Sequence, residues 1–424
     1  MLDIKFIREN PSLVKKACKN RGYDIDIDNF LRLDEKYRTN LQKVEKLKYQ
    51  RNTAAKEINE LKKQGKDIKA KIKEVKEIPT KIKKLEEDIK ELKEKIFPVI
   101  TTIPNIPDPS VPIGADETKN KEVKKKGKIP KFNFEIKPHW EIGKNLDIID
   151  VDKSIKLAGA GFYIFKGLGA RLERALINFF LDYHIKNGFI EICPPVLVND
   201  KSMFGTAQLP KFEQDLYKTT EGLYLIPTSE VPLTNLHQDE ILNKEELPKY
   251  YCAFTPCFRT EAGKHGTETR GIYRLHQFDK VEMVKICYPD HSDKELEDMR
   301  QTAEKLLELL EIPYRTLLLC TGDVGFAASK TYDIEVWSPY QKKYLETSSC
   351  SNCKDFQARR INTKFRTPEG NKFVHTLNGS GLATPRLIIS LLECNQQKDG
   401  SIKIPKVLQP YMDGIKKIEA KKSI

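Results

Sequence analysis

Two segments between residues 31 and 98 carry apolar or long side chains three and four residues apart. A sustained spacing of this kind is the seam of a coiled coil, and QGKD at 64–67 predicts a turn that folds the two helices back on each other. The result is an antiparallel helical arm, on the order of 40 Å long at about 1.5 Å per residue. Pro79 should kink or locally break the second helix. The seam positions are Val44, Leu47, Arg51, Ala54, Ile58 and Leu61 in the first helix, and Ile68, Ile72, Val75, Ile78, Ile82, Leu85, Ile89, Leu92 and Ile96 in the second.

Positive charge is concentrated in the same region. The 424 residues include 74 Lys and Arg against 61 Asp and Glu, a net charge of +13, and residues 1–100 alone hold 27 basic and 18 acidic residues, a net +9. Lys and Arg neutralise phosphates and so supply sequence-independent affinity for nucleic acids. The arm is therefore the part of the chain that we expect to meet a polyanion, with a general lysine bias of the source proteome as the alternative.

The sequence also constrains the cellular compartment. It has no run of 18 apolar residues, so no segment is expected to span a membrane. The first residues, MLDIKFIRENPSLVKKACKNRG, lack the apolar core of a secretory signal and carry acids that a transit peptide avoids. Nine cysteines at irregular spacing favour a reducing compartment over a disulfide scaffold. These features predict a cytoplasmic protein.

Composition divides the chain into three parts. Residues 1–100 are predicted to form a helical domain with the arm, 101–135 a linker rich in Pro, Gly and charge, and 136–424 a larger body. In the body, helices at 168–188 and 292–311 are interspersed with short apolar strands, which predicts an α+β fold around a largely antiparallel sheet. The predicted strands are YLIP, KYYCAF, RTLLLC, TYDIEVWSP and KYLETSS.

Residues 258–282, FRTEAGKHGTETRGIYRLHQFDKVE, predict two antiparallel strands joined by the long loop EAGKHGTETRG. Successive side chains of a strand point to opposite faces, so residues two apart share a face. Such a hairpin is either an ordinary solvated strand pair or a surface that holds a phosphate, a flat ring and an ammonium together. Arg259 and Glu261 share one face, and Arg274, His276, Phe278, Lys280 and Glu282 share another.

Two further segments carry groups suited to the same kind of ligand. In IPTSEVPLT, Thr228 and Glu230 place a hydroxyl and a carboxylate two residues apart, a pair able to hold an ammonium or to stabilise a turn. In VHTLNGSGLATPRLIISLLE, a flexible glycine-containing stretch precedes a helix with Pro385 in its first turn. Arg386 at that helix start can reach a nucleotide phosphate and pack its planar guanidinium on a base.

A fourth segment, KYLETSSCSNCKDFQARR, suggests a metal site. Glu346 with Ser348 and Ser349 offers hard oxygen ligands, which suit Mg²⁺ carrying the phosphates of a nucleotide. Cys350 and Cys353 form only half of a zinc site, and no matching pair follows at the spacing of a zinc finger. We therefore expect magnesium and no zinc.

Taken together, these segments resemble a class II aminoacyl-tRNA synthetase. The helix and strand that lead to Pro195 resemble the first motif of that class, FRTE followed by RLHQF the second, and GLATPR with Arg386 the third. The segments TSE, HQFDKVE, ETSSCSN, DFQARR, HTLNGSG and TIPNIPDPSVPIG, together with the basic arm, resemble the seryl-tRNA synthetase family. The resemblance runs from Met1 to about Gly414.

The resemblance implies a class II catalytic domain of antiparallel-sheet type and assigns roles to individual residues. The catalytic residues would be Arg259, Glu261 and Arg386. ATP would contact Arg259, Thr260, Glu261, the backbone of Leu275, Phe278, Glu346, Thr347, Ser348, Ser349 and Arg386, with Mg²⁺ on Glu346 and Ser349. Serine would contact Thr228, Ser229, Glu230, Arg259, Arg274, Glu282 and Ser380.

The implied activity is activation of L-serine by ATP to seryl-adenylate, followed by transfer of the seryl group to the 3′ end of tRNA(Ser). The arm would hold the tRNA, the enzyme would be a homodimer, and charging of tRNA(Sec) is left open. Three alternatives are a coiled-coil scaffold that binds no ATP, a ligase that loads an amino acid onto a carrier protein, and a zinc-dependent variant of the same activity. The basic arm argues against a carrier-protein ligase, since such relatives are expected to lack it.

Overall fold

The structure is a computed structural model that describes residues 1–261 and 271–420. It divides into two compact units, an N-terminal unit, Leu2–Pro104, and a body from Asn105 onward that also includes Met1. Most of the loop predicted between the two strands of the 258–282 hairpin lies outside the described residues. Across the ranges that are described, no helix combines the length and apolar character needed to cross a membrane.

The N-terminal unit is entirely helical in its regular structure. Two long helices run antiparallel, because Tyr37 approaches Lys93, Lys48 pairs with Glu86 and Glu57 pairs with Lys71. Asp26 begins the first long helix by accepting a hydrogen bond from the backbone N–H of Asn29. The helices are α1 (Ile4–Glu9), α2 (Pro11–Asn20), α3 (Ile27–Lys63), α4 (Lys69–Val75) and α5 (Ile78–Thr102).

The predicted seam is buried near the base of the arm and looser towards its tip. Val44 packs with Ile78, Ile82 and Ile89 in one apolar cluster. Arg51, which the spacing placed in the seam, is exposed, and Ile72 is 45% exposed. The turn is found at the predicted place, since α3 ends at Lys63 and α4 begins at Lys69.

Pro79 interrupts the second half of the hairpin as predicted. The helix stops at Val75, and α5 restarts at Ile78 with Pro79 in its first turn. Proline is tolerated there because the first N–H groups of a helix have no partner within it. The break is therefore a fresh helix start rather than a bend within a continuous helix.

The body is an α+β unit built on one large sheet. Its helices are α6 (His139–Asn145), α7 (Val151–Ala158), α8 (Leu168–Lys186), α9 (Asp200–Gly205), α10 (Glu230–Thr234), α11 (Ser292–Leu309), α12 (Phe356–Ile361) and α13 (Thr384–Asn395). Its strands are β1 (Lys121–Lys126), β2 (Ile190–Glu191), β3 (Leu197–Val198), β4 (Tyr224–Leu225), β5 (Ile241–Leu242), β6 (Lys249–Phe258), β7 (Gln277–Cys287), β8 (Tyr314–Leu318), β9 (Lys330–Ser338), β10 (Lys343–Lys354), β11 (Lys364–Thr367), β12 (Gly370–Phe373), β13 (His375–Ala383), β14 (Ile402–Lys403) and β15 (Lys417–Ile418).

Eight strands form the main sheet in the order β1-β8-β9-β10-β13-β7-β6-β2. All neighbours are antiparallel except β2 and β6, which run parallel. The helices α8, α11 and α13 pack on this sheet and bury a continuous core that includes Leu176, Phe180, Leu306 and Leu391. Smaller pairings are β12-β11-β5, β14-β15 and β3-β4.

The stretch predicted as a linker, 101–135, contains regular structure in its second half. Lys121–Lys126 form β1, the edge strand of the main sheet, paired antiparallel with β8. Lys124 and Lys126 also reach the Glu308 carboxylate, at 3.7 and 2.8 Å. Lysine-rich sequence is common on edge strands, where it discourages pairing with other chains. The compact body accordingly begins at Asn105, and the functional domain boundaries drawn from composition stay a prediction.

The predicted hairpin is present as β6 and β7, with Cys257 opposite Phe278. The second strand begins at Gln277, so Arg274 and His276 precede it instead of sharing its alternation. His276 is held by its surroundings, since its backbone N–H donates to the Gly161 carbonyl.

Candidate active site

Two adjoining cavities lie beside the β6–β7 hairpin, with volumes of about 560 and about 100 Å³. Side chains from distant parts of the chain meet in their walls. Both cavities are lined by Arg259, Glu261, Arg274, Lys280, Glu346, Ser380 and Arg386. The larger one adds, among others, Thr228, Glu230, Glu282, Ser349 and Asn378, and the smaller one adds Tyr273, Leu275, Phe278, Thr347, Ala383 and Pro385.

Guanidinium groups and aromatic rings meet in the wall of the smaller cavity. The Arg259 guanidinium carbon lies 5.1 Å from the centroid of the Phe278 ring, and that of Arg386 lies 4.9 Å from the centroid of Tyr273. A planar cation stacks favourably on an aromatic face, and both kinds of group also stack on a nucleobase. Phe278 and Arg386 line this one cavity, which is the arrangement that a base held between them requires.

Arg386 is oriented by the start of α13 and by Glu346 on β10. Pro385 occupies the first turn of α13, and the Arg386 Nη1 donates to the backbone carbonyl of Glu346 at 2.9 Å and to its Oε2 at 3.2 Å. Burial opposes the charge on Arg386, but Glu346, Tyr273 and Glu261 together outweigh it and hold the pKa of the guanidinium above its usual value. Arg386 is therefore a fixed cation at the boundary between the two cavities.

Glu261 and Arg274 form a second ion pair at that boundary, with the Arg274 Nη1 2.6 Å from the Glu261 Oε2. The backbone of Glu261 has φ +51°, in the left-handed region. Non-glycine residues are uncommon there, and such conformations cluster at functional sites. The pair places one cation and one carboxylate next to the ring-lined cavity.

Part of the wall of the larger cavity forms a small polar pocket. The Lys280 Nζ lies 2.6 Å from the Glu282 Oε2 and donates to the Thr228 Oγ1 at 2.8 Å. Ser380, opposite Glu282 in the β13–β7 register, donates to the same Oε2 at 3.4 Å. The side chains of Lys280 and Glu282 are only 7% and 3% exposed, so each is the buried ion-pair partner of the other. Such a pocket suits a compact ligand with an ammonium and a hydroxyl.

Glu230 lies beside this pocket at the first position of α10. Its Oε1 accepts hydrogen bonds from the Gln357 Nε2 at 2.6 Å and from the Asn378 Nδ2 at 3.0 Å. Burial, with the nearby Glu282 carboxylate, raises the pKa of Glu230 to about 7. A ligand ammonium would favour the ionised form of this carboxylate, since an opposite charge lowers its pKa.

The glycines of NGSG are required by packing, which corrects the expectation that they supply flexible backbone. They lie within β13, and a Cβ on Gly381 would come 2.3 Å from the His184 Nε2. A Cβ on Gly379 would come 2.7 Å from the Met299 Sδ. Burial lowers the pKa of His184 to about 4, so the ring is neutral, and its Nε2–H can donate to the Gly381 carbonyl at 2.8 Å. This close approach fixes the strand that carries Ser380.

Three predicted site residues have side chains outside both cavities. The Ser348 hydroxyl is buried and donates to the Ser380 carbonyl, because a β-bulge between Glu346 and Ser348 shifts the alternation and turns Ser349 towards the cavity instead. The Ser229 hydroxyl is buried against the Thr255 Oγ1 at 2.6 Å. The Thr260 Oγ1 donates to the Gln214 carbonyl. These side chains form supporting structure rather than cavity wall.

The proposed metal ligands, Glu346 and Ser349, both line the larger cavity. Next to them, the Oδ1 of Asp333 is buried with no hydrogen-bond partner among the described residues. Burial and the Glu346 carboxylate raise the pKa of Asp333 well above its usual value. Cys350 and Cys353 pack in different apolar clusters. Within 1–261 and 271–420, no group of three or more His, Cys, Asp or Glu side chains is arranged to hold a metal ion.

Comparison with known proteins gives matches along nearly the whole chain. Residues 1–107 match the family described as seryl-tRNA synthetase N-terminal domain, and residues 211–395 match the tRNA synthetase class II core domain of the G, H, P, S and T enzymes. The serine–tRNA ligase of Methanosarcina barkeri is 52% identical over 419 residues, which cover 99% of each chain. That of Fusobacterium nucleatum is 56% identical over 416 residues, covering 98% of this chain and 99% of the other.

The chain belongs to the seryl-tRNA synthetase family. The fold agrees, since the crystal structure of the seryl-tRNA synthetase from Pyrococcus horikoshii complexed with ATP has a TM-score of 0.94, 39% identity and full coverage of both chains. The predicted fold class and the activity, ATP-dependent ligation of serine to tRNA, are thereby confirmed. The matches support this activity and not the carrier-protein alternative.

Sequence reasoning missed several polar residues of this seryl-tRNA synthetase fold. Lys280 was placed on the right strand face but was given no role, although it lines both cavities. Asn378 and Tyr273 line one cavity each. Gln357 is fully buried behind Glu230. The alternation that identified Glu282 could have identified Lys280, whereas nothing in the local sequence indicates that Gln357 approaches Glu230.

Proposed function

We propose that the two cavities bind ATP and serine side by side, with the nucleotide base in the smaller one and serine in the larger one. The single observation that carries this proposal is that different kinds of side chain line the two cavities. The rings of Tyr273 and Phe278 line only the smaller cavity, and Thr228, Glu230 and Glu282 line only the larger one. The fixed cations Arg259 and Arg386 line both, which suits an α-phosphate held where the two ligands meet.

ATP would lie with its base between Phe278 and Arg386, with Leu275 and Thr347 beside it. This proposal agrees with the Pyrococcus horikoshii relative, which was crystallised with ATP. Mg²⁺ would be held by Glu346 and Ser349 together with the nucleotide phosphates, since this ion commonly takes only one or two protein carboxylates. The residues fit the ion, because they offer oxygen ligands and the buried Asp333 Oδ1 nearby has no hydrogen-bond partner among the described residues. When bound, Mg²⁺ would neutralise charge on the phosphates.

Serine would lie in the pocket with its ammonium facing Glu230 and Thr228 and its hydroxyl facing Glu282 and Ser380. Arg259 would hold the α-phosphate and, with Arg274, attract the serine carboxylate. The carboxylate is already ionised, so its attack on the α-phosphorus needs no base; the bond from this phosphorus to the bridging oxygen breaks, and pyrophosphate leaves. Catalysis consists of positioning and charge stabilisation. A pocket that bonds the hydroxyl rejects alanine, because alanine leaves buried polar groups without a partner.

The test is serine-dependent exchange of pyrophosphate into ATP. We expect Arg259→Ala to abolish exchange, since it removes the cation that is proposed to hold the α-phosphate. The matched control is Arg366→Ala, which removes an exposed arginine on β11. Exchange that survives in Arg259→Ala at the rate of this control would contradict the assignment.

The arm would bind tRNA, and we propose one groove on it as a contact. This groove, of about 460 Å³, lies between the two long helices and is lined by Lys43, Lys46, Lys81 and Lys84 among others. Lysine side chains there suit contacts with the phosphate backbone and the shape of double-stranded RNA. Replacing the four lysines by Gln should raise the KM for tRNA in aminoacylation and leave pyrophosphate exchange unchanged. Equal loss of both activities would contradict this division of labour.

The proposal also covers the oligomeric state and the cellular location. We infer a homodimer, supported by the apolar side chains that the body exposes at Leu157 and Ile190, which are 79% and 59% exposed. Sedimentation of the intact protein would test it. A cytoplasmic location is supported by the nine cysteines, none of which forms a disulfide.

A further inference from the structure

Gln357 is a fully buried amide behind the larger cavity. It lies on α12, next to Phe356 in the chain, and its side chain does not reach the cavity wall. Both ends of the amide are bonded. The Nε2 donates to the Glu230 Oε1 at 2.6 Å, and the Oε1 accepts from the Thr376 Oγ1 at 2.7 Å.

The amide has only one favourable orientation. Turning it by half a revolution would bring its carbonyl oxygen against the Glu230 carboxylate, and an ionised carboxylate can only accept hydrogen bonds. Thr376, itself fully buried, supplies the proton that holds the amide oxygen on the opposite side. The hydrogen bonds therefore run in one direction: Thr376 donates to Gln357, and Gln357 donates to a carboxylate oxygen of Glu230.

The hydrogen bonds on Glu230 are unevenly distributed between its two oxygens. The bonds from Gln357 and from Asn378 both go to Oε1. Among the described residues no protein donor bonds Oε2, and the Glu230 side chain lines the larger cavity. Two amides therefore fix the rotation of the carboxylate and leave its second oxygen for a ligand.

The charges around Glu230 oppose each other. Glu282 on β7 disfavours its ionised form, while Lys280 on the same strand and Arg259 beyond β6 favour it. Burial works against ionisation more strongly than any of these, and the Gln357 hydrogen bond works in favour. From α12, β13 and β7 the groups that face Glu230 are thus Gln357, Asn378, Lys280 and Glu282.

We propose that Gln357 is a positioning residue for the amino group of the amino-acid substrate: it keeps Glu230 ionised and aims its Oε2 into the larger cavity. This inference rests on the proposed function, in which Glu230 receives the serine ammonium. A hydrogen bond to the ionised form of a carboxylate favours that form. Removing the donor would therefore lower the fraction of enzyme that can pair with an ammonium at neutral pH.

The experiment measures the KM for serine and the KM for ATP in pyrophosphate exchange, from about pH 6 to about pH 9. Gln357→Leu removes the donor and keeps most of the side-chain volume. A rise of about one unit in the pKa of Glu230, from about 7, lowers its ionised fraction at about pH 7 about fivefold. We therefore expect the serine KM to rise about fivefold at about pH 7 and the increase to disappear towards about pH 9. The ATP KM should stay within about twofold of the parent.

Gln396→Leu is the matched control. Gln396 is another buried amide of the body with three hydrogen bonds, to the backbone of Lys137 and Glu393, and it lines neither cavity. A structural defect common to buried amides would appear in both variants and would not depend on pH. A rise in serine KM that is the same at every pH, or one that Gln396→Leu reproduces, would overturn the proposal.

Gln357→Glu keeps the test decisive should the leucine variant fail to fold. Its added carboxyl can donate to Glu230 only when protonated, so the serine KM should increase as the pH rises, opposite to Gln357→Leu. A serine KM that falls as the pH rises in Gln357→Glu overturns the inference.

Glu230→Gln distinguishes a failure of the proposed function from a failure of the role of Gln357. An unchanged serine KM in Glu230→Gln refutes the proposed function, whereas a large rise there beside a flat profile in Gln357→Leu refutes only the role of Gln357.

Discussion

Replacing Gly381 by alanine should destabilise the body through a single contact. The new Cβ would lie 2.3 Å from the His184 Nε2 and 3.3 Å from the Met283 Cγ. An ordinary contact needs at least 3.4 Å, so the imidazole would have to retreat by about 1 Å and give up its 2.8 Å hydrogen bond to the Gly381 carbonyl. Overpacking costs about 1–3 kcal/mol and the hydrogen bond about 1 kcal/mol, so the free energy of unfolding should fall by about 2–4 kcal/mol.

Urea unfolding followed by tryptophan fluorescence measures this effect in the body alone, because both tryptophans, Trp140 and Trp337, lie there. Gly325→Ala is the control, since a Cβ at Gly325 would meet no atom within 4 Å. We expect this variant to unfold close to the parent. The comparison separates the effect of steric overlap on stability from the effect that replacing any glycine by alanine has on the backbone.

A double-mutant cycle tests whether His184 is the residue that the new Cβ overlaps. His184→Ala alone opens a cavity and destabilises the body, but in the Gly381→Ala background it also removes the overlap. The double variant should therefore be more stable than the sum of the single effects by about 1–3 kcal/mol. Additive effects within about 0.5 kcal/mol would refute the reasoning, because the clash would then involve some other group.

Three further perturbations test interactions elsewhere in the body. Lys280→Met should cost about 3–5 kcal/mol of unfolding free energy, because Glu282 is left buried without its partner, and Glu282→Gln in the same chain should recover part of this loss. The Lys126 hydrogen bond lowers the pKa of Glu308 to about 2, so its contribution to stability is complete above the ordinary value of 4.5 and is lost as the pH falls towards about 2. Hydrogen exchange of the edge strand, corrected for its intrinsic pH dependence, should accelerate over that range and not in Glu308→Gln. Arg360→Lys should lower the Tm by a few degrees, because a buried guanidinium that donates to two backbone carbonyls is replaced by an ammonium that cannot match that geometry; an unchanged Tm would contradict it.

Periodicity predicted the elements whose burial follows a regular spacing. The three- and four-residue spacing predicted the arm, because a seam must bury the same face over many turns. QGKD predicted its turn, and Pro79 predicted the break that is found between α4 and α5. The edge strand β1 was missed because KEVKKK has one apolar residue and little burial. Its pairing with β8 is a tertiary contact that the sequence of the strand itself does not predict.

The candidate site was predicted to a different extent at each residue. The co-occurring motifs brought Arg259, Phe278 and Arg386 together, and the structure places all three around one cavity. The orientation of the Ser348 side chain away from the cavities could not be read from the sequence, because the bulge in β10 that shifts the alternation is not visible there. Gln357 was not assigned because its partner lies 127 residues away in the chain. Sequence spacing carries no information about an approach of that kind.

Lys121–Lys126 belong to the main sheet, and this determines where the N-terminal unit and the body can be separated. A chimaera joined at residue 135 would take the edge strand away from the catalytic half and leave β8 without its neighbour. It would also remove Asn105, whose side chain donates to the carbonyls of Ala327 and Cys353. Arms exchanged between relatives should therefore be joined at 104/105, where the compact body begins, Met1 apart.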